Sequence, residues 1–219
     1  MKKILLFSLV ALLGINATTQ AQLSISGQAG LNYATLGTDE PDASDVIDSK
    51  LGFYIGANAT KDINDNLYVG AGLNYSTKGY SSSATVEFPG LFKVDTEGSS
   101  SLNYLEIPIN IGYRVGDLIT IQAGPYLGLL MGVSNKSKST TLDYTTNTTT
   151  TAEDSDNDAT GWSKSDFGLN IGAGLNVSES LSIRLNYGLG LANIMDDSAV
   201  SNTYKNNVLS VGIGYTFMK

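Results

Sequence analysis

Three observations predict an all-β chain: eight stretches alternate apolar with polar residues, short and long connections follow one another, and the polar face is built of glycine, serine and asparagine. The fold class they predict is an eight-stranded antiparallel up-and-down transmembrane β-barrel, with short periplasmic turns and four long extracellular loops.

The strands follow in order. Residues 23–36 set Leu23, Ile25, Ala29, Leu31 and Tyr33 on one face, and residues 51–60 do the same with Leu51, Phe53, Ile55, Ala57 and Ala59. Residues 67–80 use Leu67, Val69, Ala71, Leu73 and Tyr75, and residues 104–115 use Leu105, Ile107, Ile109, Ile111 and Tyr113. In residues 119–134 the face carries Ile119, Ile121, Ala123, Leu127, Leu129, Met131 and Val133. Residues 166–177 contribute Phe167, Leu169, Ile171, Ala173 and Leu175. Residues 181–192 run from Leu181 through Tyr187 to Leu191, and residues 208–217 supply Leu209, Val211, Ile213, Tyr215 and Phe217. The short connections are 61–65, 116–118 and 178–180; the long ones are 37–50, 81–101, 135–165 and 193–207. Facing residues share a face, so three-residue turns pair Val115 with Ile119 and Val177 with Leu181.

Ahead of the strands, residues 1–21 have the form of a cleaved signal peptide: Lys2 and Lys3, an apolar run over 4–15, and Thr19-Gln20-Ala21 before the cut. The run is too short for a membrane-spanning helix, which needs about 20 apolar residues. Residues 22–219 then form one barrel domain. Removing Lys2 and Lys3 from the 13 basic residues leaves 11 against 21 acidic ones. That balance argues against nucleic acid as a partner. There is no cysteine and no histidine, so neither a disulfide nor the usual nucleophile–base schemes are available.

Which face is outside follows from the other one. A soluble barrel would cover its outer face with charge. Here that face reads Ser24, Ser26, Gln28, Gly30, Asn32 in the first strand and Gly168, Asn170, Gly172, Gly174, Asn176 in the sixth, suited to the cramped interior of eight strands. The apolar face therefore meets lipid. Tyr33, Tyr75, Tyr113, Tyr187, Tyr215 and Phe217 lie on it as membrane-interface aromatics, and Trp162 is expected to join them as an anchor where the third long loop returns.

The inward face predicts a polar and charged lumen cluster of Glu106, Arg114, Arg184, Tyr104, Tyr126, Asn110 and Asn186. The turn registers set Glu106 opposite Gly128 and Arg184 opposite Gly174, so each long side chain points at a residue that leaves it room. Glu106 and Arg114 stand eight residues apart on one strand, about 26 Å at about 3.3 Å per residue, and cannot pair. A buried unpaired charge is costly. Glu106 is therefore expected to pair with Arg184, Lys78 or Lys50, and Arg114 to sit near the periplasmic mouth. Pro108 and Pro125 cannot donate to a ladder, which predicts a bulge or a water-satisfied break there.

The third long loop is polar and low in complexity, and is expected to project beyond the membrane as a mobile or hairpin segment. Its Asp154, Asp156 and Asp158 alternate like ligands of a calcium loop, but Ala159 stands where the glycine belongs and the distal Glu is missing. No metal site and no cofactor are assigned. Glu106 and Asp166 apart, the acidic residues are scattered over loops, so no acid–base pair and no enzyme is read from them.

The stretches "YLEIPINIGY" (104–113), "AGPYLGLLMG" (123–132), "DFGLNIGAGLNV" (166–177), "YGLGLANI" (187–194) and "LSVGIGYTF" (209–217) resemble the small outer-membrane β-barrel family of Bacteroidota-type bacteria, the PorT-like or porin-family barrels. The resemblance implies the same eight-stranded barrel in the outer membrane of a Gram-negative cell and carries over no catalytic residue. Met218 and Lys219 follow Phe217, where many such barrels end on the aromatic. The expected function is non-enzymatic: a closed monomeric scaffold in contact with outer-membrane lipid and lipopolysaccharide, whose acidic loops serve an extracellular ligand or envelope integrity. A narrow porin-like channel for ions or small solutes is the alternative.

Overall fold

A computed structural model describes residues 23–40, 46–196 and 202–218; the predicted signal peptide lies outside them. The strands are β1 (Leu23–Thr38), β2 (Ile47–Asp62), β3 (Leu67–Phe88), β4 (Phe92–Val115), β5 (Ile119–Asp143), β6 (Thr148–Asp156), β7 (Ser165–Asn176), β8 (Leu181–Gly190) and β9 (Tyr204–Met218). Each of the eight longer alternating stretches pairs antiparallel with its neighbours, in the ring β1-β2-β3-β4-β5-β7-β8-β9. Pairing of β9 with β1, from Thr38 opposite Tyr204 down to Ile25 opposite Met218, closes it. Closure leaves no ladder edge within the ring, which hydrocarbon would not tolerate.

The registers follow the turns. Val115 faces Ile119, Glu106 faces Gly128 and Gly174 faces Arg184. The apolar face is turned outward and stays exposed: Ile171, Val211 and Ile213 are each more than half accessible, and the six outward Tyr and Phe residues join this belt, although Tyr187 lies opposite Ile171 in the middle of the wall and not at an interface. Phe53 and Tyr75 touch on it, with ring centroids 5.9 Å apart.

Three expectations change. The predicted loops over 81–101 and 135–165 are largely strand, the latter as the hairpin that is one of its two expected forms. β3 and β4 continue as one hairpin to the Phe88–Phe92 contact, and β5 continues to Asp143, where it turns into β6. Water bathes both faces of these extensions, so they need no apolar alternation, and their many threonines favour the extended backbone. Asp143 ties the β5–β6 turn by accepting from the Thr145 hydroxyl (2.6 Å) and from the Thr145 and Thr146 amides, which hold its carboxyl below the usual carboxylate range.

Second, Val133 faces inward at 4% exposure, opposite buried Leu102. The register slips by one residue between the Asn103–Gly132 and Tyr104–Leu130 pairs; Met131 is the extra residue, and everything beyond it changes face. Of the two outcomes expected at Pro108 and Pro125, the ladder shows the break and not the bulge. Pro108 faces Tyr126 and Ile111 faces Ala123 in one unshifted register, so the ladder has a gap without an inserted residue.

The third change is Trp162, which is no lipid-interface anchor. It packs against a buried cluster of Leu36, Leu102, Tyr104, Val133 and Ile194, 6.4 Å from the ring of Tyr80, and its backbone bridges Met195. That cluster fills the loop end of the barrel.

Candidate functional site

The lumen is layered. At the short-turn end Arg114 pairs with Asp62 at 2.7 Å, and its guanidinium stacks 4.9 Å from the centre of the Tyr68 ring. It is the mouth residue the sequence predicts, held by a partner from the β2–β3 end that the sequence leaves unnamed. Above it lies a cavity of about 770 Å³ that reaches down to turn residues Asp117, Leu118, Ser178 and Glu179. Amides and hydroxyls wall it. Gln28 Nε2 donates to Asn74 Oδ1 at 2.7 Å, Asn32 Nδ2 to Ser76 Oγ at 2.9 Å, Ser210 Oγ to Asn32 Oδ1 at 2.8 Å, and Gln122 Nε2 to Asn186 Oδ1 at 3.1 Å. Asn110 is here too, its Oδ1 buried without a partner. Glycine lets these side chains cross the lumen: at Gly172 a Cβ would strike Asn186, and at Gly112 the ring of Tyr68.

The cavity ends on a layer of charge. Lys78 Nζ lies 2.8 Å from Glu106 Oε2 and 3.1 Å from Asp166 Oδ2, with 4% of the residue exposed. Asp166 is wholly buried; besides the ammonium it accepts from Asn206 Nδ2 at 3.0 Å and the Tyr126 hydroxyl at 3.3 Å. The Tyr126 and Tyr104 rings flank the ammonium, with centroids at 4.2 and 5.4 Å, an arrangement that favours a desolvated cation. Gly128 opposite Glu106 provides the space, since a Cβ there would crowd Tyr104 and Asp166.

Of the predicted cluster, Glu106, Tyr104 and Tyr126 come together around Lys78. Arg184 does not join them: it lies elsewhere in the cavity wall, and Glu106 pairs with Lys78 rather than with Arg184 or Lys50. Asp166 and Asn206 belong to the layer and were not foreseen as members. Parity holds the missed signal for Asp166, which precedes the outward Phe167 and must point inward. Beyond the charge layer the Leu36–Leu102–Tyr104–Val133–Ile194 cluster plugs the loop end.

The aspartates of the third loop are engaged in local hydrogen bonds. Asp156 accepts from Asn135 Nδ2 and the Asp158 amide, Asp158 from the Thr160 hydroxyl and amide, and Asp154 from the Ser155 amide. Asp154 and Asp158 serve their own turns while Asp156 also ties to β5 through Asn135, and among the described residues no three His, Cys, Asp or Glu side chains gather to hold a metal.

Comparison with solved structures finds several small barrels. Ail, the attachment invasion locus protein of Yersinia pestis, solved in complex with the heparin analogue sucrose octasulfate, is 15% identical over 91% of this chain and 100% of its own, with a TM-score of 0.40. Neisserial surface protein A is 15% identical over 88% and 97%, with a TM-score of 0.40. The outer membrane protein OprG from Pseudomonas aeruginosa is 14% identical over 91% and 97%, with a TM-score of 0.34. No curated protein matches. A family model described as outer membrane protein beta-barrel domain matches residues 18–196, and β9 lies beyond that match as the strand that closes the ring. The chain belongs to this outer-membrane β-barrel family.

Proposed function

We propose that the protein is a non-enzymatic outer-membrane scaffold, sealed toward the outside, that presents its acidic hairpins for surface interaction or envelope integrity. One observation carries the reading: the polar cavity stops at the Lys78–Glu106–Asp166 layer, and an apolar plug fills the barrel above it. An ion crossing there must break two buried ion pairs and then desolvate among Leu36, Leu102, Val133 and Ile194. The β3–β4 and β5–β6 hairpins extend past the ring; β5–β6 offers a largely Thr, Ser and Asp surface, while the β3–β4 tip also exposes Val86, Phe88, Leu91 and Phe92. In β6, Glu153, Asp154 and Asp156 mark an edge strand that pairs only with β5 among the described residues, and charge on an edge discourages stacking of further copies. The reading includes residues 1–21 as the export signal, lipopolysaccharide as the surrounding outer leaflet, a monomeric barrel, and PorT-like kinship on the quoted motifs.

A narrow channel is the second reading, favoured by a cavity of about 770 Å³, large for a ring of eight strands. Conductance of the refolded protein in a planar bilayer separates the two. The scaffold predicts a silent bilayer, and predicts that Glu106→Gln, which leaves Lys78 with Asp166, stays silent as well. Discrete openings altered by Glu106→Gln would make the protein a pore with a charged gate.

A further inference from the structure

Three cations line the cavity, and two are neutralised: Lys78 by Glu106 and Asp166, Arg114 by Asp62. Arg184 has no carboxylate within ion-pair distance among the described residues. Its Nε donates to Ser182 Oγ at 3.3 Å and its Nη1 to Gln28 Oε1 at 3.1 Å, both neutral acceptors. A guanidinium has five N–H donors, so three are left over in the wall of the cavity.

A second group nearby is short of a partner. The Tyr54 residue is only 7% exposed, and its hydroxyl is buried with no hydrogen bond. It lies over Gly212, while the Arg184 guanidinium lies over Gly214, where an added Cβ would meet Cζ at 3.0 Å. These glycines are one strand repeat apart, about 7 Å. A fixed cation with spare donors and a hydroxyl without an acceptor thus converge on one stretch of β9 that has no side chains in the way. Leaving such donors unmatched in a confined site costs free energy that an acceptor recovers.

We infer that Arg184 and Tyr54 form a binding site for a small oxyanion, a carboxylate or a phosphate, reached from the periplasmic mouth. Both anion types present paired oxygens that fit a guanidinium fork. Access is from the turn side because the Lys78 layer and the plug close the other end. Gln28, Gln122 and Asn186 provide neutral polar walls for the rest of a small solute, and the carboxylates of Asp117 and Glu179 at the rim disfavour extended polyanions. This site is separate from the hairpin surface and does not depend on the scaffold reading.

The test uses the fact that the chain has two arginines, Arg114 and Arg184. Arginine Nε–Hε correlations of refolded, ¹⁵N-labelled protein in micelles therefore give two signals, assigned by Arg184→Gln and Arg114→Gln. Each signal is followed through titrations with sodium phosphate, sodium acetate and sodium chloride at matched ionic strength. The expected result is a saturable shift of the Arg184 signal with phosphate or acetate, while the Arg114 signal stays still. Whichever of the two anions saturates names the ligand chemistry. Tyr54→Phe, which keeps the ring and the fold, should weaken that affinity several-fold. The inference is overturned if the Arg184 signal does not move, moves linearly without saturating, follows chloride equally well, or keeps its affinity in Tyr54→Phe.

Discussion

Replacing Lys78 with methionine will destabilise the folded barrel by about 3–5 kcal/mol, the range expected when one member of a buried ion network is removed. The side chain is nearly isosteric, so packing between the Tyr104 and Tyr126 rings survives and the effect isolates the charge. What remains is Glu106 and a fully buried Asp166 facing the same vacated place with no cation between them. Denaturant unfolding in micelles, followed by circular dichroism, measures the loss. Adding Glu106→Gln and Asp166→Asn to Lys78→Met should recover most of it, because a neutral hydrogen-bonded layer carries no uncompensated charge. If the triple variant is no more stable than the single one, the layer is held by packing and not by its ion pairs.

The second large effect concerns the other face. Ile171→Arg will cost about 2–4 kcal/mol, the penalty for a charge on the lipid face near the midplane of a transmembrane barrel. Ile171 is 58% exposed in the middle of β7, between Ala123 and Tyr187 on its neighbours, so no interior packing is disturbed. In water the same change would be neutral or mildly favourable. Reversible unfolding from lipid vesicles measures it, with Thr149→Arg on the exposed β6 hairpin as the control that should change little.

The ring was legible because its signals reinforce one another. Alternation identifies the strands, three-residue turns set the register, and together they put Gly128 opposite Glu106 and Gly174 opposite Arg184. Lys78 was within reach as one of three named partners, since parity turns it inward and it stands two positions beyond Ser76. Asp166 is harder to read because it sits at a strand start beside a long acidic loop, where a carboxylate looks solvated. The Met131 bulge was hidden: one inserted residue leaves no mark on composition, yet it moves Val133 from the lipid face to the plug. The outer hairpins are legible only in part, since a hairpin is one of two forms expected for residues 135–165 and none is expected for 81–101. A sheet wet on both faces has no apolar period, so residues 135–165 read as low complexity although their threonines suit a strand. Trp162 looked like an anchor because tryptophan near a strand end often is one; its place against Tyr80 and Ile194 depends on how the loops fold over the lumen, which no local pattern encodes.

That the isoleucine face meets hydrocarbon while the glycine and asparagine face is enclosed is the claim on which everything else rests. The chain has a single tryptophan, so one variant can report on it. Ile171→Trp is made in a Trp162→Phe background and folded into vesicles whose acyl chains carry bromine. The account predicts strong quenching by the brominated chains and little by aqueous iodide. Fluorescence that ignores the brominated lipid and yields to iodide would place Ile171 in water and contradict it.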